Sequence, residues 1–323
     1  MKHGSWRHDP AAYGAPQPAP TRFADVDTRR HVNNIAVHGL HAETRQRWLM
    51  AAGGAAVWPL GTLRLKPLAC RTEFWRECHY PAPVSAGVRL LDASDYGLTL
   101  ASGLFQDGAC VGMQQTQVAA WGADLASRVA LPLPLVAALH IEPAADALGG
   151  AMSSGAAAPM HAPMPRPAGS DDRRHYPVAA ELTSRYGDFD ADGCSSEAAV
   201  MRGIEQARAA LLQSAFAAAG ADPQTGWTQL LAARIDLHWA HHRAPPRAWA
   251  LVGAVTHTGR SSAGLRVAMF DGDALHATAD CVMVYTDPTR ATGPAGAQAL
   301  PAPLRAALQA LAWRAPDAVL TLP

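Results

Sequence analysis

The stretch that decides the fold is Arg22-Phe23-Ala24-Asp25-Val26-Asp27-Thr28-Arg29-Arg30-His31-Val32-Asn33-Asn34, because its opening occurs twice. It returns as Arg185-Tyr186-Gly187-Asp188-Phe189-Asp190, 163 residues farther on (190 − 27). The same register carries Ala36, Val37, Arg45 and Leu49 onto Ala199, Val200, Arg208 and Leu212, and Arg71-Thr72-Glu73-Phe74 onto Arg234-Ile235-Asp236-Leu237. Farther on, Leu131-Pro132-Leu133-Pro134-Leu135 is echoed by Leu300-Pro301-Ala302-Pro303-Leu304. A repeat this long is a domain, and 323 residues hold two of them. We place the copies at 18–140 and 178–310.

Each copy has the same local pattern. Ile35 to Ala52 contains no proline, spaces Val37, Leu40, Trp48 and Leu49 mainly at helical intervals, and stops at Gly53-Gly54. Ala198 to Ala219 does likewise before Gly220. Alternating apolar and polar runs follow both helices, with Asp107-Gly108 and Asp271-Gly272 as hairpin turns. A long helix followed by an antiparallel meander predicts an α+β fold, with the helix against one sheet face. Residues 141–177, rich in Ala, Pro and Gly, lack the apolar content to order themselves and are expected to be a flexible linker. Residues 1–17 and much of 289–323 have similar character, although Pro303 to Trp313 has helical spacing.

The run from Arg22 to Asn34, followed by a helix carrying Glu43 and Arg45, resembles the opening motif of the 4-hydroxybenzoyl-CoA-thioesterase-like hotdog family. In the second copy, Gly259-Arg260-Ser261-Ser262 resembles that family's late turn. The resemblance implies two tandem hotdog domains, each an antiparallel sheet wrapped around a long helix, paired as a pseudo-dimer within one chain. It further implies hydrolysis of an acyl-CoA or acyl-carrier-protein thioester between a helix start of one half and strands of the other. The second Asp of the motif, the family's catalytic carboxylate, maps to Asp27 as base or nucleophile, with His31 as orienting group and Asn34 in support. Arg29 and Arg30, in the loop before His31, either meet a CoA or phosphopantetheine phosphate or stand as solvated cations, and Gly259, Arg260, Ser261 and Ser262 would complete the pocket. Asp190 marks a second, altered site, where Cys194-Ser195-Ser196-Glu197 replaces His-Val-Asn-Asn.

The residues themselves support part of this. Thioester hydrolysis needs a group that activates water and donors for the developing oxyanion, and free amides at a helix start favour negative charge. Asp25 lies on the opposite side of an extended chain from Asp27 and is read as a loop-holding residue. Asn33 and Asn34 are natural helix caps. Asp188-x-Asp190-x-Asp192-Gly193 has the start of a calcium loop, but Ala199 stands where the bidentate Glu belongs, so calcium is rejected. His238, His241 and His242 are read as structural and not as metal ligands.

Lys plus Arg equals Asp plus Glu, 27 each, so no long-range steering toward nucleic acid or an anionic membrane is expected. The five scattered cysteines contain no C-x-x-C pair, which fits a reducing compartment, and the absence of a long apolar run predicts a cytoplasmic protein. No cofactor is expected. The expected partners are the thioester and further copies of the chain. The alternatives weighed are a non-catalytic acyl-binding or scaffold double hotdog and a hotdog hydratase or dehydratase. The hydratase reading wants Asp and His five residues apart; Asp27 and His31 are four apart.

Overall fold

In the computed structural model the described residues are 5–57, 63–122, 124–125, 127–139, 164–222, 229–286 and 296–314. Both long helices start where a short polar side chain caps an extended residue. Asn33 accepts the Ala36 amide (2.8 Å) and Ser196 accepts the Ala199 amide (3.1 Å). The α-helices are α1 (Asn34–Gly53), α2 (Leu133–Ala138), α3 (Glu197–Ala218) and α4 (Ala302–Ala310).

The strands of the first half are β1 (Gln17–Pro18), β2 (Arg64–Phe74), β3 (Val84–Ser94), β4 (Gly97–Gln106) and β5 (Ala109–Trp121). Those of the second are β6 (Val178–Thr183), β7 (Leu230–Trp239), β8 (Ala248–Thr258), β9 (Ser262–Asp271) and β10 (Ala274–Tyr285). All ten form one sheet in the order β1-β3-β4-β5-β2-β7-β10-β9-β8-β6. The second half of that order is the first half reversed, so the repeat is a pseudo-two-fold and β2 against β7 is its seam. Cys70 faces Leu237, Arg71 faces Asp236 and Glu73 faces Arg234. The guanidinium of Arg71 grips both carboxylate oxygens of Asp236, at 2.8 and 3.0 Å.

The chain is a double hotdog, as the motif implied, but the two cores differ. Helix α3 buries Val200, Met201, Ile204, Leu211, Leu212 and Phe216 against the strands of its half. Full burial of one such side chain contributes about 1.5–3 kcal/mol. Helix α1 instead buries His38, His41 and Arg45. These polar groups are absorbed by the sheet beneath: Arg45 donates to Gln114 and Thr116 (3.2 Å each), and His41 Nδ1 lies 2.8 Å from Ser102 Oγ.

Both segments expected to be loose contain packed structure. Near the N-terminus Tyr13 is 1% exposed, donates to the Arg7 carbonyl (2.8 Å) and meets Phe105 edge-on. Gly87 makes room for it, since a Cβ there would come within 2.8 Å of both the Cβ and the carbonyl oxygen of Tyr13. Of the expected linker, 141–163 lies outside the described residues, while 164–177 packs. Tyr176 is buried against Phe270 and Trp313 and donates to the Ser170 carbonyl (3.0 Å). One buried tyrosine in each segment, Tyr13 and Tyr176, supplies what the average composition concealed.

Candidate active site

Between the helix-start motif and the seam lies a cavity of about 340 Å³ built by both halves. Asp27, Arg29, His31, Asn34 and Val37 line it from the first half, with the strand exit Phe74 to Cys78. Glu205 and Arg208 of α3, Leu230 to Ala233 of β7, and Val284 and Thr286 line it from the second.

The loop is held from beneath by Asp25, which is buried and accepts from the Arg22 amide (2.8 Å) and guanidinium. Burial alone would raise its carboxyl pKa, but the hydrogen bonds from Arg22 outweigh that and lower it. Asn33 donates its amide side chain to the Asp25 carbonyl (2.7 Å) and its own backbone amide to the same oxygen (2.8 Å). Asp25 and Asn33 are thus the scaffold, which leaves Asp27 and His31 facing the cavity.

Asp27 Oδ1 accepts the Arg29 amide (2.9 Å), and Oδ2 lies 3.1 Å from His31 Nδ1. The backbone closes the same turn, with the Asp27 amide donating to the His31 carbonyl (2.9 Å) and Arg30 at φ 64. Both oxygens of an ionised Asp27 are acceptors, so a proton shared with His31 sits on Nδ1 and the Nε2 lone pair stays free. Nε2 has no hydrogen-bond partner among the described residues; its nearest carboxylate is Glu77 Oε1, at 3.9 Å.

The other expected residues divide. Asn34 lines the cavity as the first residue of α1. Arg29 also lines it, but its side chain is only 14% exposed and lies 3.8 Å from Glu77, so it is no solvated phosphate clamp. Arg30 is exposed and outside the lining. Gly259, Arg260, Ser261 and Ser262 do not line the cavity either. They form the β8–β9 turn, where Gly259 donates to the Ser262 carbonyl (2.7 Å) and Arg305 of α4 donates to the carbonyls of Gly259 and Arg260. Ser262 is one strand away from the wall, paired with Val284.

Sequence reasoning missed Glu77, Glu205 and Arg208 as cavity residues. Arg208 had a signal, since it is the repeat partner of Arg45. Glu77 had none.

The equivalent cavity of the second copy, about 390 Å³, is chemically different. Asp190 is occupied there: it accepts the amides of Asp192 and Cys194 (2.9 Å each) and pairs with Lys66 at 2.7 Å. Lys66 also meets Asp192, which pairs with Arg64 as well. His242, one of the three clustered histidines, reaches across the seam to the Pro67 carbonyl (2.9 Å).

No family model and no curated protein sequence matches the chain. Solved structures do. One provisionally named an oleoyl thioesterase, from Lactobacillus plantarum, superposes with a TM-score of 0.62 at 10% identity, covering 84% of this chain and 95% of its own. The 12:0-ACP thioesterase of Umbellularia californica gives 0.61 at 10% identity over 84% and 97%. An acyl-ACP thioesterase from Bacteroides thetaiotaomicron gives 0.58 at 11% identity over 83% and 97%. The chain shares their fold. At such identities the likeness reaches no farther than architecture, so the chemistry rests on the cavity.

Proposed function

We propose that this protein hydrolyses an acyl-CoA or acyl-carrier-protein thioester in the first cavity. The observation that carries this reading is the Asp27–His31 pair on the wall of a cavity that neither half forms alone. The thioesterase names of the structures sharing the fold support it.

The pair acts as a unit. His31 donates Nδ1–H to Asp27 Oδ2, and the carboxylate, its side chain 31% exposed, takes a proton from water as that water attacks the thioester carbonyl; the tetrahedral intermediate then expels the thiolate, which takes up that proton. Sequence reading gave the role of base or nucleophile to Asp27 and the orienting role to His31, and the greater exposure of Asp27 together with the burial of His31 Nε2 supports that assignment. Asn33 consumes the Ala36 amide, leaving the first amides of α1, beside Asn34, to meet the oxyanion. Phe74, Trp75, Leu230 and Val284 supply apolar walls for the acyl chain.

The test is free-thiol release from a panel of aliphatic and aromatic acyl-CoA and acyl-carrier-protein thioesters. Turnover of at least one member is expected. Binding without turnover across the whole panel would make the chain an acyl-binding protein instead.

A further inference from the structure

The charged groups that line the first cavity are paired inside it, with one exception. Asp27 lies 3.1 Å from His31, Arg29 lies 3.8 Å from Glu77, and Arg208 holds Glu205. Arg76 lines the same cavity from the strand exit and is exposed, and its guanidinium makes no hydrogen bond or ion pair among the described residues. Its backbone is fixed, since the Trp75 and Arg76 amides both donate to the Val111 carbonyl (2.9 and 3.0 Å). A guanidinium stays charged and carries its donors in a planar fork that suits phosphate oxygens.

The repeat supplies an internal comparison. The Val32 amide donates to the Cys78 carbonyl (2.7 Å) as the Ser195 amide donates to the Arg243 carbonyl (2.8 Å). The offset at this point is 165 (243 − 78), which sets Arg76 level with His241 and Glu77 level with His242. His242 lines the second cavity and His241 does not. Burial and the neighbouring Arg243 lower the pKa of His241, so that position is uncharged at neutral pH. An uncommitted cation therefore accompanies the cavity in which Asp27 is available, and is missing where Asp190 is tied to Lys66.

We propose that Arg76 binds a phosphate group on the carrier arm of the substrate, holding it at the mouth of the cavity while the thioester lies at Asp27. This rests on the thioester reading above. Exposure assigns the anion to the carrier end, because the acyl chain occupies the apolar wall of Phe74, Leu230 and Val284 whereas the carrier arm leaves toward solvent. The phosphopantetheine arm shared by CoA and carrier proteins ends in a phosphate, and CoA adds the phosphates of its nucleotide. Arg76 meets either by charge-assisted hydrogen bonds.

The probes are the S-hexyl thioethers of pantetheine, phosphopantetheine and CoA, which hold no thioester to hydrolyse, titrated calorimetrically into the full chain. The wild type is expected to bind the phosphopantetheine probe about three- to tenfold more tightly than the pantetheine probe, with a margin that shrinks at high salt. Arg76→Gln is expected to remove the margin and Arg76→Lys to keep part of it, neither changing affinity for the pantetheine probe. A margin present for the CoA probe alone, and removed by Arg76→Gln, assigns the contact to the phosphates of the nucleotide. A margin that survives Arg76→Gln, an equal loss of affinity for all three probes, or a wild type that binds all three alike or none would each overturn the proposal. Affinity is read without turnover, so failure of this assignment and failure of thioester hydrolysis are separate results.

Discussion

At the scale of the residue, the two aspartates that the repeat makes equivalent do different work. Asp27→Asn keeps the shape but removes the carboxylate that takes the proton, and His31→Gln removes the ring that holds it. Each is expected to lower kcat by about 10²- to 10⁴-fold on the best thioester with the urea midpoint nearly unchanged. A full-rate Asp27→Asn protein would sink the assignment. Asp190→Asn should have the opposite profile, since it breaks the bond to partly buried Lys66 and weakens the cap on two amides. Equilibrium unfolding should show a loss of about 1–3 kcal/mol with turnover per folded molecule retained. The local sequence announces the difference, with Cys194 where the first copy has an imidazole, but not the partner that replaces it, because Lys66 lies 124 residues from Asp190 and pairs with it only once the seam has formed.

Helices and hairpins were legible where periodicity and turn chemistry agreed. The readings Ile35–Ala52 and Ala198–Ala219 differ by a residue or so from α1 and α3, and Asp-Gly turns join β4 to β5 and β9 to β10. Strand β2 carries Pro67, which the structure accommodates at a register shift between Pro67 and Ala69. The helix pattern also hid the contrast between the cores, since α1 buries His38, His41 and Arg45 beside Val37 and Leu49. That contrast is measurable. Leu211, fully buried in α3, should cost about 2–5 kcal/mol on replacement by Ala. In α1, Arg45→Met replaces a buried ion pair with an apolar chain of similar length but strands Glu197 and Gln114, and should destabilise by about 3–5 kcal/mol. A neutral Arg45→Met in urea titrations would show that the polar core tolerates loss of its centre.

For the whole molecule, the seam makes the halves interdependent. Residues 5–139 and 164–314, expressed together as separate chains, should co-elute as one complex, whereas either alone presents β2 or β7 as an open edge and should self-associate. Stable monomeric halves on a sizing column would contradict this. Acid should act on the assembly through its buried histidines. Burial lowers the pKa of His41 well below its usual value, of His242 to about 4 and of His276 to about 3. Each is therefore neutral when folded but takes a proton at about 6.5 when unfolded, so stability is complete above pH 6.5 and falls as pH drops toward 4 and then 3. Glu197 extends the loss: burial raises its pKa, but Arg45 and His38 outweigh that and hold it near 2, so its share disappears below about 4.5. Urea midpoints at pH 7 and pH 5 should differ, and His276→Phe, beside Trp249, should flatten the difference. The dependence of Arg45 on Glu197 also bears on biosynthesis. The half translated first holds Arg45 without Glu197 and with β2 uncovered until β7 ends at Trp239, 100 residues past Leu139 (239 − 139), so the nascent N-terminal domain waits that long for its counter-ion and its seam partner. Its maturation is timed by elongation of its own twin.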